Sequence, residues 1–203
     1  MRFAEMRIVR SVLGKEIGWS WIPTLMKTSV RKRSVFRNTH WIYEEGPETK
    51  FVKRLSLPSA LYLGLQEGLG KERAFDIMRR IIIPIGYNQQ WEHLQSLGSS
   101  DNEPMKKLMA FNDLMDIKGA PRFNRRKYVE RSDDICHFVI TKCVFKDFFN
   151  EAATPELTRL FCDVDREFFP KAFPDLEFHR AGSWENTIAH GKDQCEFIFE
   201  RRK

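Results

Sequence analysis

At 203 residues, with 42% apolar and 13% aromatic content, the chain is long enough to bury the core of one large domain or of one domain with a helical extension. The net charge of +6 is dispersed except at Arg31-Lys32-Arg33 with Arg37 and at Arg122 with Arg125-Arg126-Lys127; no nucleic-acid reading motif accompanies either cluster, so both read as solvated surface and no nucleic-acid partner is expected. Four cysteines, at 136, 143, 162 and 195, form no C-x-x-C pair, which excludes a disulfide framework and points to reduced thiols in the cytoplasm; no stretch approaches the ~20 apolar residues of a membrane span.

In chain order, Phe3, Met6, Val9 and Leu13 recur at helical spacing, which predicts an amphipathic helix over 3–13. Its expected use is packing on the main body, with a membrane surface or a partner as the alternative. Beyond Gly14 the pattern turns irregular through Trp19, Trp21 and Pro23, and Glu44 to Lys50 reads as a turn or exposed loop around Gly46-Pro47. Leu57-Pro58-Ser59 opens a helix carrying Leu61, Leu65 and Leu69 that ends at Gly68 or Gly70. A second helix runs from Lys71 to Pro84, where proline must end or kink it. A third covers about Tyr87 to Leu97, stopped by Gly98-Ser99-Ser100, and a fourth follows Asn102-Glu103-Pro104 to about Ile117.

The period then changes. Arg126 to Glu130 and Ile135 to Val144, separated by Ser132-Asp133-Asp134, read as a β-hairpin. Alternation sets Cys136, Phe138 and Ile140 on one face and His137, Val139, Thr141 and Cys143 on the other. Phe145 to Ala152 is helical, and Thr154-Pro155-Glu156-Leu157 starts a further helix whose apolar stripe is Leu157, Leu160, Phe161 and Val164. Cys162, Asp163 and Asp165 fall on its flanks. Pro170 and Pro174 end it, Leu176 to Arg180 reads as a strand, and Asn186 to Ala189 with Cys195 to Phe199 reads as a hairpin closed over Gly191-Lys192-Asp193. The fold class expected is α+β, a single domain with an N-terminal extension over 1–57, a helical region over 58–118 and an α+β core over 119–203 in which an antiparallel sheet is flanked by helices.

Several side chains in the last third can carry chemistry. Cys143 and Cys162 are candidate nucleophiles, since a thiolate is strongly nucleophilic when its pKa is lowered, although free cysteine is more commonly a small buried apolar group. Asp163 and Asp165 lie beside Cys162 and would raise its pKa unless a cation offsets them, which favours attack by water with Asp163 or Asp165 as general base. Ion pairs with Arg159 and Arg166 at helical spacing are the structural alternative for both carboxylates. His179 and His190 titrate near neutrality, and His190 sits beside a turn. Arg180 suits a carboxylate clamp because guanidinium binds carboxylates bidentately. Cys195 alternates with Phe197 and Phe199 and reads as core. No short zinc-type ligand pair is present, so no cofactor is expected; a zinc held by Cys162, Cys195, His190 and Asp165 is the alternative.

The order C-V-F-K-D-F-F from Cys143, P-E-L-T-R-L-F-C-D-V-D from Pro155, F-H-R from Phe178 and T-I-A-H-G-K-D-Q-C-E-F-I-F from Thr187 resembles the L-2-amino-thiazoline-4-carboxylic acid hydrolase family, most tightly over 143–199. The segment Ala181 to Asn186 sets Arg180 farther from Thr187-Ile188-Ala189 than that resemblance leads one to expect. The last hairpin is also similar to that of vinyl-reductase-like small-molecule-binding domains. The resemblance implies hydrolysis of a C–N bond in a small cyclic amidine or amide bearing a carboxylate, with Cys162, Asp163, Asp165, Cys143 and His190 as catalytic candidates. Arg180 and His179 are the candidates for binding substrate. The alternative is a non-catalytic small-molecule-binding or sensing module. The partner expected is a small carboxylated substrate, and an oligomer is left open.

Overall fold

The computed structural model describes residues 2–98 and 103–202; the expected stop at Ser99-Ser100 and the residue Asn102 lie outside them. Helices come first: α1 (Phe3–Ile17), α2 (Trp21–Arg37), α3 (Pro47–Leu69), α4 (Lys71–Gln95) and α5 (Pro104–Lys118). The hairpin β1 (Arg125–Arg131) and β2 (Ile135–Lys142) follows, then α6 (Val144–Glu151), α7 (Leu157–Ala172), β3 (Leu176–His179) and β4 (Cys195–Arg201). The four strands form one antiparallel sheet in the order β1-β2-β4-β3. The class is α+β, N-terminal helices followed by an antiparallel sheet with helices.

The chain divides into two compact units. One comprises the residues up to Gly86 with Phe145–Phe161, and the other Tyr87–Val144 with the chain from Cys162 onward. In the first, Val9 and Leu13 of α1, Val35 of α2 and Val52, Leu55, Leu61, Tyr62 and Leu65 of α3 are buried. In the second, the inward residues Cys136, Phe138 and Ile140 of β2 and Cys195, Phe197 and Phe199 of β4 join Leu108 and Phe111 of α5 and Phe168, Phe169 and Phe173 in one core. The side-chain alternation expected for β2 is therefore realised on its core face.

Proline positions account for most of the differences from the sequence reading. Pro23 falls in the first turn of α2, where its missing N–H is no loss, so the stretch after Gly14 is helical from Trp21. Pro47 likewise opens α3, within the segment expected as a loop. Pro58, Pro84 and Pro170 lie inside α3, α4 and α7, and none of them ends its helix. An interior proline costs about 3 kcal/mol. In α4 the residues Ala74, Ile77, Met78, Ile81 and Ile82 before Pro84 and Leu94 after it are all buried, and at roughly 1.5–3 kcal/mol for each large apolar side chain this burial outweighs the break. The expected third helix is thus the second half of α4. α3 stops where expected, at Gly70 with φ +80, a left-handed position that glycine adopts without strain.

The other difference lies after β3. Residues 186–189 make no strand: Ile188–His190 is a short 3-10 turn, and β4 pairs with β2 and β3.

Candidate functional site

Strand alternation builds the site from β3 and β4. Phe178 pairs with Phe199 and His179 with Ile198, so Arg180, the next residue, returns to the side of Phe178 and Phe197, the core side of the sheet. There it is 1% exposed. Its guanidinium carbon lies 4.1 Å from the ring centre of Phe197, 4.6 Å from that of Trp184 and 5.5 Å from that of Phe178, an aromatic cradle that suits a planar cation.

Asp165 of α7 supplies the counter-charge. Arg180 Nη2 donates to Asp165 Oδ2 at 3.1 Å and Arg180 Nη1 to the Glu196 carbonyl at 3.4 Å, while Gln90 Nε2 of α4 donates to Asp165 Oδ1 at 3.2 Å. The Asp165 side chain keeps a fifth of its surface open, yet the protein packed around it pushes its pKa above the usual 3.8, with Arg180 and Gln90 pulling the other way. Burial exceeds compensation, so this carboxyl holds its proton to higher pH than an ordinary aspartate.

A second arginine joins from β1. Arg126, placed in a solvated cluster by its neighbours in sequence, has a side chain only 8% exposed. It donates to Asp116 at 3.1 Å and to the Tyr128 hydroxyl at 3.2 Å, and it lies 4.2 Å over the Phe138 ring. Phe138 stacks on Phe197 at 4.8 Å, so two guanidiniums flank one pair of stacked rings. The Arg126 charge is felt at Asp165, and burial raises the Asp116 carboxyl as well, against the pull of Arg126.

Among the described residues, four buried polar atoms here lack a hydrogen-bond partner: Arg180 Nε, Arg126 Nε, Gln90 Oε1 and Trp184 Nε1. An isolated orphan is a local defect. Several near one carboxylate are groups that water or a polar ligand can satisfy, since each buried group left unpaired costs about 1–3 kcal/mol.

Cys162 lies one turn before Asp165 on α7. Burial pushes its thiol well above the usual 9.0; Arg180 works against this, while Asp165, Cys195 and Cys143 add to it. The structure thus gathers Cys162, Asp165 and Arg180, with Cys143 and Cys195 near enough to be felt, and it holds Cys162 as a thiol. Cys143 packs at the edge of the core and Cys195 within it, where the Cys195 sulfur accepts from the Ile188 N–H at 3.2 Å. Asp163, two residues before Asp165, is turned about 200° round the helix from it. The ion pair of Asp165 is with Arg180, while Arg166 lies over the Trp184 ring at 5.5 Å. His179 projects from the opposite face of the sheet from Arg180, 3.9 Å from Glu200. The His190 ring meets Thr187 Oγ1 at 2.9 Å in the turn before β4.

The loop between Arg180 and Thr187 has a defined shape. Ala181 and Gly182 take left-handed backbone at φ +47 and +85, a turn for which glycine is suited and alanine is strained. The Asn186 side-chain amide then donates to the carbonyls of Arg180 and Ala181 at 3.0 and 2.7 Å. This closure brings Trp184 onto the guanidinium.

Gln90 and Trp184 are not among the residues the sequence marks as candidates, and Arg126, expected on a solvated surface, is instead buried. One signal for Arg126 was present, the period-two pair Arg126/Tyr128 on a strand bonded to the core face of Phe138; for Gln90, on a helix far away in sequence, there was none. Among the described residues no three His, Cys, Asp or Glu side chains converge as a metal site, so Cys162, Cys195, His190 and Asp165 do not form a ligand set. No helix among them is long and apolar enough to cross a membrane. A cleft in the first unit, lined in part by Arg31, Ser34, Asn38, Glu67 and Glu151, includes none of the candidate residues.

Fold and site together define an α+β protein that holds two buried guanidiniums beneath an antiparallel sheet, one of them paired with the Asp165 carboxylate. The sequence pattern of the L-2-amino-thiazoline-4-carboxylic acid hydrolase family matches residues 49–199, and the chain belongs to that family. No curated protein and no solved structure matches the chain.

Proposed function

We propose that the protein hydrolyses a C–N bond in a small cyclic amidine or amide bearing a carboxylate, of the aminothiazoline-carboxylate kind. The observation that carries this reading is the set of unpaired polar atoms around the Asp165–Arg180 pair. The Nε groups of Arg180 and Arg126 and the indole N–H of Trp184 are unspent donors for a carboxylate, and Gln90 Oε1 is an unspent acceptor for an amidine N–H.

Asp165 is the general base. In its ionised form it takes a proton from water as the water oxygen bonds to the amidine carbon. The C–N bond then breaks, and Asp165 returns that proton to the departing nitrogen. A carboxyl raised by burial suits both halves of this cycle, because its proton affinity lies nearer that of its partners than an ordinary aspartate's would. Cys162 in this scheme is a neutral thiol that shapes the wall beside Asp165, since a thiol held protonated is a poor nucleophile. His179, His190 and Asp163 are given no step.

The test is a set of ring substrates, namely aminothiazoline carboxylate, hydantoin carboxylates and their methyl esters, followed for ammonia release or for gain of one water on ring opening. Turnover of the carboxylates with loss of activity on the esters is the expected result. Tight binding with no turnover of any ring would establish the sensing-module reading instead. Iodoacetamide should label Cys162 more slowly than a free thiol, and fast labelling blocked by substrate would return the nucleophile's role to the cysteine.

A further inference from the structure

The clearest unassigned surface lies in α1 and α2, outside residues 49–199. We propose that the outward face of α2, with the adjoining Trp19, is a docking surface for an anionic lipid membrane, on which the protein lies without spanning it.

Buried residues of α2 are Thr28 and Val35, one stripe at i, i+7. At about 100° per residue, Ile22, Met26, Val30, Arg33 and Arg37 fall within a sector about 80° wide on the opposite side. The apolar members of that sector are open to solvent: Met26 is 69% exposed and Val30 74%, and Trp19, just before the helix, is 85% exposed. Phe3 on α1 is 83% exposed. A single exposed apolar side chain is ordinary, but Ile22, Met26 and Val30 follow one another at i, i+4 and i+8, and a contiguous set marks a contact surface.

Charge selects the partner. Residues 1–37 hold nine Lys and Arg against two Glu, a net +7, whereas the whole chain is +6; the remaining residues therefore sum to −1. Arg33 and Arg37 stand exposed within the sector and Lys27 is exposed on its flank. An apolar strip flanked by Lys and Arg on a helix of low overall hydrophobicity is the arrangement that seats in the headgroup layer, side chains in the acyl boundary and cations on anionic headgroups, at about 1 kcal/mol per basic residue. A second copy of the chain would bring one cationic face against another. Nucleic acid would use the cations and leave Ile22, Met26 and Val30 in water.

The test is flotation of the full-length protein with vesicles of phosphatidylcholine alone or mixed with phosphatidylserine. At least tenfold stronger binding to the mixed vesicles is expected, weakening as salt is raised to about 0.5 M, where screening acts within a few ångströms. Met26→Glu with Val30→Glu should remove binding, and Arg33→Glu with Arg37→Glu should remove the preference for phosphatidylserine. All four sites are exposed, so an unchanged melting transition is expected and serves as the folding control. Equal binding to both vesicles, or binding indifferent to Met26→Glu with Val30→Glu, would overturn the proposal. So would a concentration-dependent dimer that the same pair of substitutions dissolves, or retention on a single-stranded oligonucleotide with none on vesicles.

Discussion

The interior beneath the sheet and the outward face of α2 break the ordinary rule of burial in opposite senses. Under the sheet, Arg180 and Asp165 put charge among Phe178, Trp184 and Phe197; on α2, Met26 and Val30 put apolar side chains in water. Either arrangement costs free energy in a protein that only folds. The difference lies in how each cost is met. The buried pair is offset inside the molecule by ion pairing, hydrogen bonds and ring contacts, so its energetics can be tested by substitution alone. The outward stripe is left open to solvent among the described residues, and the membrane surface proposed for it would supply the offset.

The largest expected effect is at Asp165. Asp165→Asn keeps the shape and removes the base, so turnover of an accepted substrate should fall about 10²–10⁴-fold in kcat/KM; activity within a factor of three of the parent would take the base away from Asp165. The pH dependence sharpens this. Because burial raises the native carboxyl above 3.8, the folded state holds this proton more tightly than the unfolded chain. That contribution to stability is complete below 3.8 and is lost as pH rises through the native value. The acid limb of the activity profile should therefore lie at higher pH than an ordinary aspartate would set and vanish in Asp165→Asn.

Next in size is Arg180→Met, which strands Asp165 without its cation and should cost about 3 kcal/mol in urea unfolding. Adding Asp165→Leu should recover most of that loss. No recovery would mean that the arginine acts by packing rather than by charge. In the first unit, the buried Tyr62 donates to Glu156 at 2.6 Å, and Tyr62→Phe should cost about 1.5–3 kcal/mol, the range for a bond to a charged acceptor. Smallest is Glu67→Ala, which breaks an exposed pair with Arg31 at 2.6 Å and should stay below about 1 kcal/mol. If Glu67→Ala matched Arg180→Met, burial would not be what separates the two kinds of pair.

What was legible in the sequence followed short-range periodicity. The Ile135–Lys142 strand, the inward set Cys136, Phe138 and Ile140, the helix from Pro104 and the core role of Cys195 all rest on alternation or capping signals within a few residues. Pro58 reads as the opening of a helix, Pro84 as an end or a kink and Pro170 as an end because a local rule takes no account of burial on both sides, which carries each helix through its proline. Arg180 and Asp165 were each legible as candidates by residue type. Their pairing was not, because it depends on the register of β3 against β4 and on the facing of α7. Gln90 reaches the same carboxylate from a helix whose sequence shows only its apolar face.

The loop from Arg180 to Thr187 is closed by its own Asn186 onto the carbonyls where it begins and is tied to β4 by the Glu196 N–H, which donates to the Asn186 carbonyl at 3.4 Å. The residue at the tip of that loop, Trp184, is what covers the guanidinium, so the character of the roof over this charge is set by a single side chain held outside the sheet's hydrogen-bond ladder.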